Sequence, residues 1–353
     1  MSTARYSGRS LAALAVALLV AACSGSSTSL PPATPGATVV ATVGATSKPV
    51  TLRLSDDSPI DSPQVVNDKL FADEVARLSN GSVKVDIFPA AQLYAEDEIL
   101  PALQRGEVDM GVVPAWASVE PAVLILDIPF QFTTWDDFHA ALDGPMGKVL
   151  IDAYASHGIK HLYFQDNTTI DLIGTNKHIV KVPADLAGLR MRTISEAFSQ
   201  AITLWGAAPT EMSGADTYLA VQKGTVDGVI SGVSFIARKW YEVTPYITQM
   251  PFSFRTNALQ MSMDRWNALD ASQQAAVTQA AATAMAANRV ETPKTNVDSY
   301  KQLADTLAKQ FYVATPDEIA QWRTTDIIKK MHDWYLTQAP TFGQKVLDAL
   351  PAK

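Results

Sequence analysis

The sequence predicts an α/β fold in two similar lobes that face each other across a ligand cleft. Three observations carry this. An internal repeat comes first: Ala102-Leu-Gln-Arg-Gly-Glu-Val-Asp-Met-Gly-Val112 returns 118 residues later as Ala220-Val-Gln-Lys-Gly-Thr-Val-Asp-Gly-Val-Ile230. Each copy reads as a helix end, a Gly stop and a short buried strand. Second, strand and helix patterns alternate from residue 51 to 113, the grammar of a parallel α/β sheet. Third, Arg192 stands at the end of a strand-like run over 189–193, just before a helix cap at Ser195. There a fixed cation can meet an anionic ligand, and small molecules commonly bind in such a cleft.

The ends of the chain lie outside this frame. Arg5 and Arg9 precede an apolar run over 11–22 that is too short to span a bilayer. It closes in Leu19-Val-Ala-Ala-Cys23, which looks like a lipobox, so residues 1–22 are expected to be a lipoprotein signal peptide and Cys23 the lipidated N-terminus. Residues 23–49 are rich in Ser, Thr, Ala, Pro and Gly and read as a flexible stalk. The expected product is exported and membrane-anchored, facing the periplasm or cell exterior. Cys23 is the only cysteine, which excludes an internal disulfide and any site needing two Cys ligands. The formal charge is −8, or −10 once Arg5 and Arg9 are removed, which argues against nucleic acid as a partner.

The remaining residues suffice for two lobes, here 50–165 and 166–250, with 251–353 shared between them. A strand over 51–54 is followed by a helix opened by Asp61-Ser-Pro63. Val83, Val85 and Ile87 alternate with polar residues in a second strand, and Glu96-Asp97-Glu98 suits a helix N-terminus. The buried strand 108–113 follows. Two helices split at Gly144-Pro145, and a strand over 159–164 closes the first lobe. The second lobe is expected to contain strands at 171–175 and 189–192, a helix over 196–204, the second repeat copy, and a helix over 233–241. Asp264 caps an Ala- and Gln-rich helical region reaching about residue 290, where Pro293 interrupts it. Thr315-Pro-Asp-Glu318 is a capping box for a helix to about 336. These C-terminal helices read as a brace without chemistry.

Gly188-Leu-Arg-Met-Arg192, Leu204-Trp-Gly-Ala-Ala-Pro209, Tyr218-Leu-Ala-Val-Gln-Lys-Gly-Thr-Val-Asp-Gly228 and Tyr241-Glu-Val-Thr-Pro-Tyr246 together resemble the solute-binding subunits of TRAP transporters. Phe88-Pro-Ala-Ala-Gln-Leu93, Gly106-Glu-Val-Asp109, Asp127-Ile-Pro-Phe130 and Leu142-Asp-Gly-Pro145 extend the resemblance from about residue 52 to 346. It implies a periplasmic-binding-protein-like fold, a long helix bracing both lobes, and closure around an organic acid delivered to membrane permease subunits driven by an ion gradient. By the matching motif, Arg192 looks like the arginine that grips the solute carboxylate through both oxygens, against the alternative of a surface ion pair. Many family members carry a second arginine in the strand entering lobe two. Here that stretch is Gln165-Asp-Asn-Thr-Thr-Ile-Asp-Leu-Ile173, with none, and the family's common Asn after Val-Asp-Gly falls near Ser231. Both departures favour a monocarboxylate, or a more neutral hydroxylated solute, over a dicarboxylate or sialic acid.

Other candidate ligand contacts follow from position. Trp116 could stack on a ligand or pack in the core or against a lobe, and Tyr218 reads first as a core aromatic, with a ligand contact as the alternative. Asn167 and Asp171 lie near the lobe crossing, and Ser231 and Gly232 follow the second repeat strand. Asp109 and Asp227 read as strand-end side chains bonding nearby backbone. His139, His157, His161, His178 and His332 are scattered without metal-ligand spacing, and neither a nucleophile elbow, a P-loop nor a dinucleotide fingerprint is present. The sequence therefore points to a receptor without cofactor or metal rather than an enzyme. A binding protein for an ABC-type importer or a sensor is the alternative.

Overall fold

Two βαβαβ units of the same design carry the sheet. The computed structural model describes residues 47–114, 120–307 and 310–351, and residues 47–353 form one compact unit. The first half contains β1 (Val50–Ser55), α1 (Pro63–Leu78), β2 (Val83–Phe88), α2 (Glu96–Arg105) and β3 (Met110–Pro114), then α3 (Trp135–Asp143), α4 (Pro145–Ser156) and β4 (Ile159–Thr175). The second half contains β5 (Arg190–Thr193), α5 (Glu196–Leu204), β6 (Ala208–Glu211), α6 (Gly214–Gln222), β7 (Gly228–Ser231), α7 (Ser234–Ala237) and β8 (Tyr246–Ser262). After these come α8 (Met263–Asn267), α9 (Ala271–Leu307), β9 (Phe311–Val313), α10 (Pro316–Trp322), α11 (Thr325–Gln338) and α12 (Gly343–Asp348).

The sheet order is β2-β1-β3-β8-β4-β7-β5-β6, with β9 paired to β8. β1 pairs parallel with β2 and β3, and β5 pairs parallel with β6 and β7, so each lobe has a central strand flanked by the two that its helices return. The repeated segments sit at equivalent places. Gly106 and Gly224, with φ of 69° and 70°, stop the chain after α2 and α6 in a conformation only glycine adopts cheaply. Asp109 then accepts the backbone N–H of Arg53 in β1 at 2.8 Å, and Asp227 that of Arg190 in β5 at 3.0 Å. Both aspartates have the structural role their spacing predicts.

Several elements differ from the sequence expectation. The strands expected at 159–164 and 171–175 are one 17-residue strand, β4, paired antiparallel with the equally long β8. No Gly or Pro separates the two apolar stretches. The change of lobe is absorbed instead by register shifts between Asp166 and Thr168 and between Ile170 and Leu172. The long helix likewise runs through Pro293 to Leu307. Its buried residues Asn288, Thr292, Asn296 and Tyr300 recur every fourth position along β4. The Asn288 side chain pairs with the backbone of Asp166, and the Tyr300 hydroxyl donates to the Thr169 carbonyl at 3.2 Å. This tertiary seam outweighs the lost intrahelical bond. The helix expected after the Thr315 box breaks into α10 and α11, because Thr324 caps a fresh start by accepting from the Ile327 N–H.

Lobe I closes on Leu52, Leu54, Phe71 and Val75, and lobe II on Leu172, Val229, Phe235 and Trp240. A third core joins α2–α5 to the C-terminal helices through Phe198, Trp205, Phe252, Trp322 and Tyr335. Tyr335 donates to the Ala122 carbonyl and Trp322 to that of Lys181, so the C-terminal helices tie segments of both halves together.

Candidate functional site

The open ends of the parallel strands point into one cleft of about 680 Å³. Lobe I contributes the loop after β1, the start of α2 and the end of β3; lobe II contributes the ends of β5, β6 and β7; β4 and β8 form the floor.

Arg192, the last residue but one of β5, lines this cleft at 5% exposure. Its Nε and Nη2 donate to the Met212 carbonyl at 3.1 and 2.9 Å, and the guanidinium lies 5.2 Å from the centre of the Trp240 ring. Two donors are spent on orientation, while Nη1 has no hydrogen-bond partner among the described residues. The same holds for the Trp240 indole N–H, whose ring also lines the cleft. Burial, and then the cations of Arg255 and Arg238, lower the Arg192 guanidinium to about 9, so it stays charged at neutral pH and gains from a bound anion.

Arg255 is the main residue that sequence reading overlooked. It sits on β8 opposite Thr168 of β4, beside the stretch of β4 that lacks an arginine. It lines the cleft, is buried, and pairs with Asp127 at 3.3 Å. Asp127 in turn accepts from the Ser195 hydroxyl, the N-cap of α5. A signal was present: Arg255 is the only charged residue between Tyr246 and Met263. Arg238 adds a third cation.

Acidic residues face these cations. Asp57, after β1, and Glu96, the first residue of α2, both line the lobe I wall, and Glu211 ends β6 on the lobe II wall. Burial, then Glu96 and Asp56, raise Asp57 to about 6. Burial likewise raises Glu96, with Arg255 opposing, and raises Glu211, with Glu196 and Asp127 adding to it.

The structure brings three of the sequence candidates together: Arg192, Asn167 and Ser231 line the cleft. Asn167 accepts from Gln64 at 3.1 Å and donates to Asn257 at 3.2 Å, linking lobe I to the crossing strands. Gly232 is buried, and an added Cβ would collide with the Thr169 carbonyl, so its requirement is close backbone approach rather than a visible ligand contact. Asp171 points away from the cleft into a separate hollow beside Tyr300 and Phe254. Alternation along β4 explains this, because Ile170 takes the cleft face. Tyr218 also misses the cleft; its hydroxyl donates to Glu242 at 3.1 Å while its ring packs on the lobe II core. Trp116 and Cys23 lie outside the described residues.

A cleft between paired α/β units, with fixed cations and hydrogen-bond donors converging on it, defines a solute-binding protein. Residues 54–335 match the DctP model, bacterial extracellular solute-binding protein, family 7, and the chain belongs to that family. It is 27% identical over 316 residues to the C4-dicarboxylate-binding periplasmic protein DctP of Rhodobacter capsulatus, spanning 88% of this chain and 92% of that protein. A TRAP periplasmic solute binding protein from Ochrobactrum anthropi superposes with a TM-score of 0.78 at 25% identity, covering 86% of this chain and 95% of that one. The sugar acid binding protein DctPAm of Advenella mimigardefordensis, solved with galactonate, gives 0.74 at 25% identity, with 86% and 98% covered. The protein is thus an extracytoplasmic solute receptor of the TRAP type, not an enzyme, and the ABC-type and sensor alternatives gain no support.

Proposed function

We propose that the protein captures a small organic acid between its lobes, with the carboxylate on Arg192, and delivers it to TRAP permease subunits. The observation that carries this is the Arg192 side chain: buried, braced by the Met212 carbonyl, and left with an unpartnered Nη1 at the cleft wall. The relatives named for C4-dicarboxylate binding and galactonate point to the same chemical class. Asn167 and Ser231 shape the pocket beside it, and Trp116 is a further candidate contact on its sequence position, two residues after the cleft-lining Pro114. Lobes 50–165 and 166–250 close by flexing where β4 and β8 cross, with 251–353 shared. Cys23 carries the lipid that tethers the receptor near its permease, after removal of residues 1–22 as a signal peptide.

Thermal unfolding against a library of organic acids tests the reading. A ligand at about a hundred times its Kd adds about 2.7 kcal/mol of stability. Arg192→Ala is expected to abolish that gain; an equal gain in the variant would make Arg192 structural. Radiolabelled fatty acid incorporated by the natural chain but not by Cys23→Ala tests the anchor.

A further inference from the structure

The two walls of the cleft carry opposite charge. Arg192 and Arg238 stand on lobe II, with Arg255 on the crossing strand already engaged by Asp127; Asp57 and Glu96 stand on lobe I. We infer that the lobe I wall is a subsite for a cationic group, so the solute bears an ammonium at one end and a carboxylate at the other. This rests on the proposed role of Arg192 and specifies what occupies the opposite wall.

A helix N-terminus attracts acids for its own stability, and α2 begins with Glu96, Asp97 and Glu98. These three divide their work. The Glu98 carboxylate accepts from the Ala95 backbone N–H, closing the helix start. Glu96 is the one of the three that lines the cleft, and Asp57 converges on the same space from a different element. Their neighbour Asp56 is fully buried and accepts from the Ser58 N–H, which leaves it no freedom to turn away. Like charges set close together cost energy unless a cation joins them. Arg255 pairs with Asp127 and also bears on Glu96, Arg192 turns two of its donors to the Met212 carbonyl, and none of these cations offsets the charge of Asp57.

The consequences for each kind of solute differ. A dicarboxylate held by Arg192 would direct its second carboxylate toward Asp57 and Glu96 and add a third anion to that wall. A hydroxyl could hydrogen-bond to either acid and leave their repulsion in place. An ammonium offers three donors and the neutralising charge together. The electrostatics agree: burial, then Glu96 and Asp56, raise Asp57 to about 6, and burial and Asp97 raise Glu96 against the opposing Arg255. Arg238 and Glu211 complete the charged groups on the facing wall.

Calorimetric titration of the purified protein with ω-amino acids, ω-hydroxy acids and diacids of matched chain length tests the inference. At neutral pH the amino acid is expected to bind about tenfold or more tightly than its diacid counterpart. Glu96→Gln and Asp57→Asn, both isosteric, are each expected to weaken the amino acid about tenfold and to narrow or reverse the preference. Lowering the pH through about 6 neutralises Asp57, so amino acid affinity falls while diacid affinity rises. This profile is read on the unsubstituted protein and stands even if a variant fails to fold. A diacid or hydroxy acid binding as tightly as the amino acid, or an order of preference unmoved by Glu96→Gln, overturns the cationic subsite. If diacids bind through Arg192 and amino acids gain nothing, the carboxylate reading survives and only this inference falls. If every carboxylate fails while neutral solutes bind, both fall.

Discussion

β1 and β5 occupy equivalent places at the centres of their lobes, and each is held by the aspartate of a repeated segment, Asp109 on Arg53 and Asp227 on Arg190. Two residues beyond these arginines the lobes part. β1 has Ser55, buried, and then Asp56 and Asp57; β5 has Arg192 and then Thr193 and Ile194. The first residue of α2 is Glu96, whereas α6 begins with Gly214. One frame therefore presents an acidic wall and a basic wall. The Gly stop and the aspartate clamp specify the frame, while residues at the strand ends, which the frame does not constrain, decide what each wall attracts.

The largest expected effect breaks this contrast at its basic end. Arg192→Ala should lower carboxylate affinity about a hundredfold, roughly 3 kcal/mol, since a buried charged hydrogen bond is lost. Ser55→Ala at the equivalent place should change binding less than about threefold. Arg192→Lys should recover little, because an ammonium cannot both fork onto the Met212 carbonyl and present a planar donor. Titration of all three variants with one ligand checks the series.

A second comparison concerns glycines close to the two repeat strands. In Gly232→Ala the new Cβ would meet the Thr169 carbonyl, and the Thr168 hydroxyl oxygen at 2.8 Å, at the lobe crossing. Backbone cannot easily yield there, so a loss of about 3 kcal/mol is expected. In Gly111→Ala the Cβ meets the Ile99 Cγ2 methyl, a side-chain rather than a backbone atom, and about 1–2 kcal/mol is expected as α2 shifts to make room. Urea unfolding of both variants ranks them; equal costs would mean that the crossing yields as readily as α2.

Much of this frame was legible because it rests on local chemistry. The Ser62-Pro63 start of α1, the Gly106 and Gly224 stops and the Thr315 box are set by neighbouring residues, and all appear where the pattern places them. β4 and α9 were misread because distant partners decide them. β4 stays extended through Asp166–Thr168 by pairing with β8, some ninety residues away, and α9 passes Pro293 by docking on β4. The site divided the same way. Arg192 could be found from a strand end and a helix cap. Arg255, Asp57 and Glu96 join it only when the sheet closes, and Asp171 leaves it because β4 turns that side chain to the other face.

Two carboxylates of lobe II sharpen the comparison through pH. The Arg190 guanidinium holds Asp227 down at about 2, below its ordinary 3.8. Its stabilisation is therefore present above about pH 4 and is lost as the pH falls through 2. Asp227→Asn should cost about 1 kcal/mol at neutral pH, discounted because Arg190 is half exposed, and almost nothing near pH 2. Asp171 behaves in the opposite sense. Burial raises it from 3.8 to about 7, with Thr169 partly opposing. The folded protein holds this proton more tightly than the unfolded chain, so the contribution is fully present below about pH 4 and is lost as the pH rises through 7. Asp171→Asn, which cannot ionise, should match the natural protein near pH 4, gain steadily on it, and level off above pH 7 with an advantage of about 1 kcal/mol, the partly exposed position again limiting the gain. Urea midpoints across that range give the curve. A flat difference would mean that water reaches Asp171 along β4 and that the hollow beside Tyr300 is wet.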